Sequence, residues 1–148
     1  MFENESGIDS LMTLMSLGLD ANAYTTNDHT AYLFSGTDNF YEGLDELMDY
    51  VQHPYYTDEN VEKERPIISQ EIGKYDDMPS WRLYINAVQN MYHNNTVRID
   101  TAGTVETISH ITKERLYSCY NTFYNPANSI MCISGDFNPK EIVSEIKK

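Results

Sequence analysis

Glu64 and Glu71 stand seven residues apart in the stretch Glu62-Lys63-Glu64-Arg65-Pro66-Ile67-Ile68-Ser69-Gln70-Glu71-Ile72. On a helix turning about 100° per residue, that spacing puts the two carboxylates only ~20° apart around the axis. Ile67 flanks them on one side, and Ile68, Ile72 and Tyr75 on the other. Both carboxylates are therefore expected to project from a buried face. A carboxylate on an apolar face costs free energy unless it is paired or bound to a cation. Two chemistries fit. One is an edge position where the carboxylates reach water or an arginine. The other is a metal ligand backed by a supporting carboxylate. The residues by themselves favour the first.

Four histidines, His29, His53, His93 and His110, lie far apart and form neither HExxH nor HxxEH. Solvent or structural roles are expected for each. The sequence has no G-x-S-x-G elbow, P-loop or Rossmann glycine pattern, so nucleophilic hydrolysis, phosphoryl transfer and dinucleotide binding have no support. A second stretch with chemical potential is Asn22-Ala23-Tyr24-Thr25. Small and polar residues at an accessible sheet edge invite a peptide to add as a further strand through main-chain hydrogen bonds. An ordinary edge strand blunted by polar residues fits them somewhat better.

These residues must be held by one domain's worth of chain, 148 residues. Apolar residues make up 41%, enough to build a core. Ten basic against 23 acidic residues give a net charge of −13. That surface repels phosphates, so no nucleic-acid partner is expected. No apolar run approaches the ~20 residues of a membrane span, and no secretory leader opens the chain. Cys119 and Cys132 make no disulfide framework and are expected to be buried thiols, one on a helix and one on a strand.

Periodicity predicts a helix over Ile8–Leu17, stopped by Gly18, then strands over Asp20–Thr26 and His29–Ser35 joined as a hairpin. Thr37 or Asp38 is expected to cap a helix carrying Phe40, Leu44, Leu47, Met48 and Val51, ended by Pro54. Thr57 or Asp58 opens a long helix through Tyr75, with a kink or restart at Pro66. Ser80 can cap the next helix, to about Tyr92. Residues Asn94–Thr104 read as irregular. Thr112 caps a helix to about Tyr124. Ser129–Ser134 reads as a central strand because it is apolar on both faces, and Pro139 opens a final helix. The order implies an α+β fold, helices on one side of a mixed sheet. The sheet is short for this much helix, as though strands were lost.

Taken in order, Met1-Phe2 with its following helix, Asn22 to Thr25, and Glu64 with Glu71 resemble the pitrilysin/insulinase family of zinc metallopeptidases. Ala102-Gly103-Thr104-Val105-Glu106-Thr107-Ile108 is similar to the family's Gly-Thr-x-Glu-x-Ile segment. Tyr124-Asn125-Pro126-Ala127-Asn128, followed by a strand ending in Gly135-Asp136, fits the same series. The Asp76–Arg82 turn resembles a bacterial branch of small two-domain members.

The resemblance implies that Glu71 matches the zinc-binding glutamate, that Glu64 matches the glutamate supporting it, and that Asn22, Ala23, Tyr24 and Thr25 match the substrate-pairing strand. It implies zinc as cofactor, peptides or unfolded polypeptides as substrates, a second family domain or subunit as partner, and a cytoplasmic location. The family's HxxEH is not in this sequence. The whole of 1–148 is therefore expected to be a single partial domain, a segment of the N-terminal peptidase domain, inactive alone and binding zinc weakly or not at all. The alternative is a non-catalytic relative serving as a structural or partner subunit.

Overall fold

Asp9 opens the first helix, α1 (Ser10–Ser16), by accepting hydrogen bonds from the N–H groups of Leu11 and Met12. Gly18, at φ +80°, ends it in a conformation that side chains resist. The Gly18 N–H donates to the Met15 carbonyl and the Leu19 N–H to that of Leu14, a Schellman closure. The closure folds Leu19 back onto Leu14, and the two are buried together with Ala21. The structure, a computed structural model, describes residues 4–147. The Met1-Phe2 part of the family resemblance lies outside them.

Strands β1 (Asp20–Thr25) and β2 (Thr30–Ser35) pair antiparallel, with Asn22 opposite Leu33 and Thr25 opposite Thr30. Alternation puts Ala21, Ala23, Tyr32 and Phe34 on one face. Helix α2 (Phe40–Gln52) and α1 pack there, with the Phe34 ring against Phe40 and beside Gly43. Asn22, Tyr24 and Leu33 lie on the other, open face. Neither Thr37 nor Asp38 caps α2. That place falls to Asn39, at φ +54°, whose side-chain amide donates instead to the Leu17 carbonyl and ties α2 to the end of α1.

Helix α3 (Asp58–Asp76) begins with a reciprocal capping box. Thr57 Oγ1 accepts from the Asn60 N–H, and Asn60 Oδ1 accepts from the Thr57 N–H. Of the kink or restart expected at Pro66, the restart does not occur, for the helix runs through it. Helix α4 (Pro79–Met91) starts at Pro79, with Met78 rather than Ser80 at the cap position. A short helix, α5 (Val105–Ser109), arises inside the Gly-Thr-x-Glu-x-Ile segment, capped by a Thr104–Thr107 box. Helix α6 (Lys113–Phe123) is capped by Thr112, and α7 (Pro139–Ile146) starts on Pro139. Packed together, α3, α4 and α5 bury Val61, Ile72, Val88 and Ile108.

The architecture is α+β, and α1 and α2 lie on one side of the sheet as expected. Two features differ. Among the described residues the sheet has two strands and is purely antiparallel, not mixed. Ser129–Ser134 is not a strand, and Ile130 is 97% exposed. An apolar run becomes a strand only where another strand completes its hydrogen bonds, and no described strand pairs with this one. Cys119 and Cys132 are both exposed rather than buried, the second because it sits in that same unpaired run.

Candidate functional site

Helix α3 carries Glu64 and Glu71 at two levels of one side, separated by ~10 Å of axial rise. Glu64 is half-buried and Glu71 is exposed. The expectation that both point into a buried face is therefore not met. The inner stripe of α3 follows Val61, Ile68 and Ile72, the two isoleucines lying roughly 20° to either side of Val61 around the axis. Glu64 and Glu71 fall roughly 60–80° round from Val61, at the margin of that stripe, and Ile67 falls further round still, 59% exposed. Arg65, one residue on from Glu64, pairs with Glu62 at 2.6 Å and donates to the Ile111 carbonyl at 3.0 Å. It pins α3 to the α5–α6 connection. Lys113 to Asp58, at 2.6 Å, adds a second tie and raises the lysine's pKa through that hydrogen bond and charge.

Helix α3 packs against α4 and α5, whereas β1 packs against β2 and α1. The acidic pair and the Asn22–Thr25 strand thus belong to different packing groups within this chain. Four of the six β1 residues are the ones singled out from sequence. The Thr26 N–H donates to the His29 carbonyl at 2.8 Å, closing the hairpin and setting the phase of its ladder. In an antiparallel pair, alternate residues turn both backbone groups toward the partner. Tyr24 and Asn22 therefore face β2, while Thr25, Ala23 and Ala21 present theirs to the opposite edge. Thr25 and Thr30 agree with this phase, their hydroxyls meeting at 3.2 Å as in a closely spaced non-hydrogen-bonded pair. No described strand covers that edge. The Ala23 N–H donates instead to Asn22 Oδ1, at 2.8 Å.

A cluster that the sequence reading did not single out joins α2, the 54–56 connection and α6 in a cleft lined by tyrosines. Tyr32 and Tyr124 share a hydroxyl–hydroxyl hydrogen bond of 2.7 Å. The Tyr120 hydroxyl donates to the Val51 and Gln52 carbonyls, at 2.9 and 2.8 Å. Tyr117 accepts from the Tyr56 N–H at 3.0 Å. Burial, helped by neighbouring tyrosines, pushes the hydroxyls of Tyr32 and Tyr50 well above their ordinary value and that of Tyr56 up to about 12. Such groups stay protonated at neutral pH. The Tyr120 hydroxyl clamps α6 to the end of α2, and the Tyr32–Tyr124 bond ties β2 to the end of α6. The signal was in the composition, 12 tyrosines among 148 residues.

Among the described residues, no three His, Cys, Asp or Glu side chains converge as a metal site would require. Catalytic zinc takes about three protein ligands. The described donors do not fit a zinc ion unaided.

The model of the insulinase family, peptidase family M16, matches residues 3–105, and that of the M16 inactive domain matches 110–148. The whole chain is 50% identical to a Bacillus subtilis protein called uncharacterized zinc protease YmfH and covers 34% of it. A Rickettsia felis protein, also called an uncharacterized zinc protease, is 28% identical over 89% of this chain, which covers 32% of it. A crystal structure described as that of an M16-like peptidase from Alicyclobacillus acidocaldarius superposes with a TM-score of 0.91, at 46% identity over 99% of this chain and 34% of its own. The chain spans about a third of the length of these relatives. With the matched segment holding Asn22–Thr25, Glu64 and Glu71 alike, the chain belongs to the insulinase family of peptidases, family M16.

Proposed function

We propose that the full-length protein containing this chain is a cytoplasmic zinc endopeptidase that hydrolyses peptide bonds in peptides or unfolded polypeptides. Residues 1–148 are a segment of its N-terminal peptidase domain, inactive when isolated and working with a second family domain or subunit. The observation that carries this reading is the match to the peptidase family of residues 3–105, the segment that holds the acidic pair and the edge strand. Within the chain, the edge of β1 from Asn22 to Thr25 aligns an extended substrate by strand addition. Glu71 supplies one carboxylate to the metal, and Glu64 orients it from the neighbouring level of α3.

The test is hydrolysis of an unstructured peptide by the full-length protein, with metal removed by a chelator and zinc returned. Loss and recovery of cleavage are expected, together with loss of most bound zinc in Glu71→Gln. Unchanged metal content and turnover in that variant would remove Glu71 from the site. Tight one-to-one zinc binding by the isolated 148-residue chain in calorimetry would contradict its proposed dependence on outside donors.

A second reading, a non-catalytic structural or partner subunit, is favoured by the match of residues 110–148 to the inactive-domain model. Full-length protein that takes up no zinc and cleaves nothing, yet forms a stable complex with a catalytic relative, would establish it.

A further inference from the structure

We propose that Asn22 is an internal competitor for the substrate edge of β1, holding the Ala23 N–H that an incoming peptide strand must take over. This rests on the reading of β1 as the substrate-pairing strand, and the occupant is the backbone of an extended peptide.

Three observations carry it. The hairpin phase turns the N–H of Ala23 away from β2, onto the edge that no described strand covers. A donor in that place has a hydrogen-bond need that water or an added strand fills. Here Asn22 Oδ1 accepts from it at 2.8 Å, so a substrate carbonyl would have to displace that bond. Asn22 lies on the open face of the hairpin and is exposed, so its side chain can swing away by rotamer change without disturbing the core. Unpaired edges invite unwanted pairing, and a side chain that occupies the donor blunts the edge until a better-placed acceptor arrives.

Net hydrogen-bond contributions of the ordinary size correspond to a competition factor of about two- to tenfold. In the full-length protein, Asn22→Ala is expected to lower KM for an unstructured peptide by about that factor. Amide hydrogen exchange at Ala23, measured without substrate, is expected to accelerate by a similar factor. Asn22→Asp, which keeps an acceptor, retains the slow exchange. An unchanged or raised KM in Asn22→Ala, or exchange at Ala23 that ignores the substitution, would overturn the proposal. The exchange readout needs no turnover and so decides even for a protein that cleaves nothing.

Ala23→Pro separates this inference from the reading beneath it. The ring removes the donor at a position that gives no bond to β2, where an edge strand tolerates proline. If KM ignores Ala23→Pro, β1 is not the pairing strand and both ideas fail. If KM rises in Ala23→Pro and also rises in Asn22→Ala, pairing stands and the competitor role falls.

Discussion

The hydroxyls of Tyr32 and Tyr124 meet at 2.7 Å across 92 residues of chain. One sits on β2 and the other at the end of α6, so the bond fastens the hairpin to a helix much later in sequence. Their rings lie 6.3 Å apart, and the Tyr50 ring meets that of Tyr32 edge-on at 5.4 Å. Tyr32→Phe keeps the ring contacts and removes only the oxygen. A loss of about 1 kcal/mol in unfolding free energy is expected, read by urea denaturation. A loss under a few tenths would mean that water replaces the bond at no cost.

The same cluster makes stability depend on alkaline pH. Below about pH 10, tyrosines are neutral in folded and unfolded chains alike. Above it the unfolded chain loses protons that Tyr32, Tyr50 and Tyr56 keep when folded. The folded state then binds more protons, so stability falls as pH rises. The fall begins near pH 10 and continues through about pH 12, the folded value of Tyr56. Ultraviolet tyrosinate absorbance should rise in two stages, the second coinciding with loss of circular dichroism.

Thr57→Ala removes the acceptor of the box that opens α3. Caps of this kind contribute about 1 kcal/mol. Asn60→Ala should cost more, because Asn60 is buried, accepts from the Thr57 N–H and donates to the Tyr55 carbonyl. Thermal and denaturant unfolding of the two variants test the order.

Gly43 in α2 leaves room for two neighbours. A methyl group there would collide with Leu19 Cδ1 and crowd the Phe34 ring at 3.1 Å. Alanine improves helix propensity by up to ~1 kcal/mol, but overpacking costs about 1–3. With Leu19 4% exposed and Phe34 wedged against Phe40, neither neighbour can simply move aside. Gly43→Ala is expected to destabilise by about 1 kcal/mol, with Gly43→Val worse. A more stable alanine variant would show that the hairpin gives way easily.

In the full-length protein, the proposed roles of the acidic pair separate by metal content. Glu71→Gln should lose most of its zinc. Glu64→Gln should weaken zinc affinity by about 10–100-fold, the usual effect of a supporting carboxylate. Equal effects from both would erase the distinction between ligand and support. Competition with a chromogenic chelator measures each.

Local chemistry was the legible part of the sequence. Thr57, Thr112 and Pro139 mark helix starts because each satisfies or removes an orphan N–H with atoms that are neighbours in sequence. Asn39 escaped notice because its side chain bonds Leu17, 22 residues away, and not its own helix. Helix α5 escaped because five residues are too few for periodicity to show, although Thr104 and Thr107 carried its capping signal. The spacing of Glu64 and Glu71 was readable, but their exposure depended on which stripe of α3 the later helices cover. Taking Val61 as the stripe's centre, rather than the isoleucines beside the glutamates, would have placed both at its margin. Ser129–Ser134 had the composition of a strand, and no composition reveals whether a partner strand is present.

Bare Ile130, between Ser129 and Met131, has a practical side in the tube. An uncharged segment with four successive apolar residues and no partner strand among the described residues is the sort of sequence that zips onto its own copies. Concentrated solutions of the 148-residue chain should cloud on standing and clear when Ile130 is replaced by lysine, which is also the cheapest way to keep the sample dispersed long enough for every measurement above.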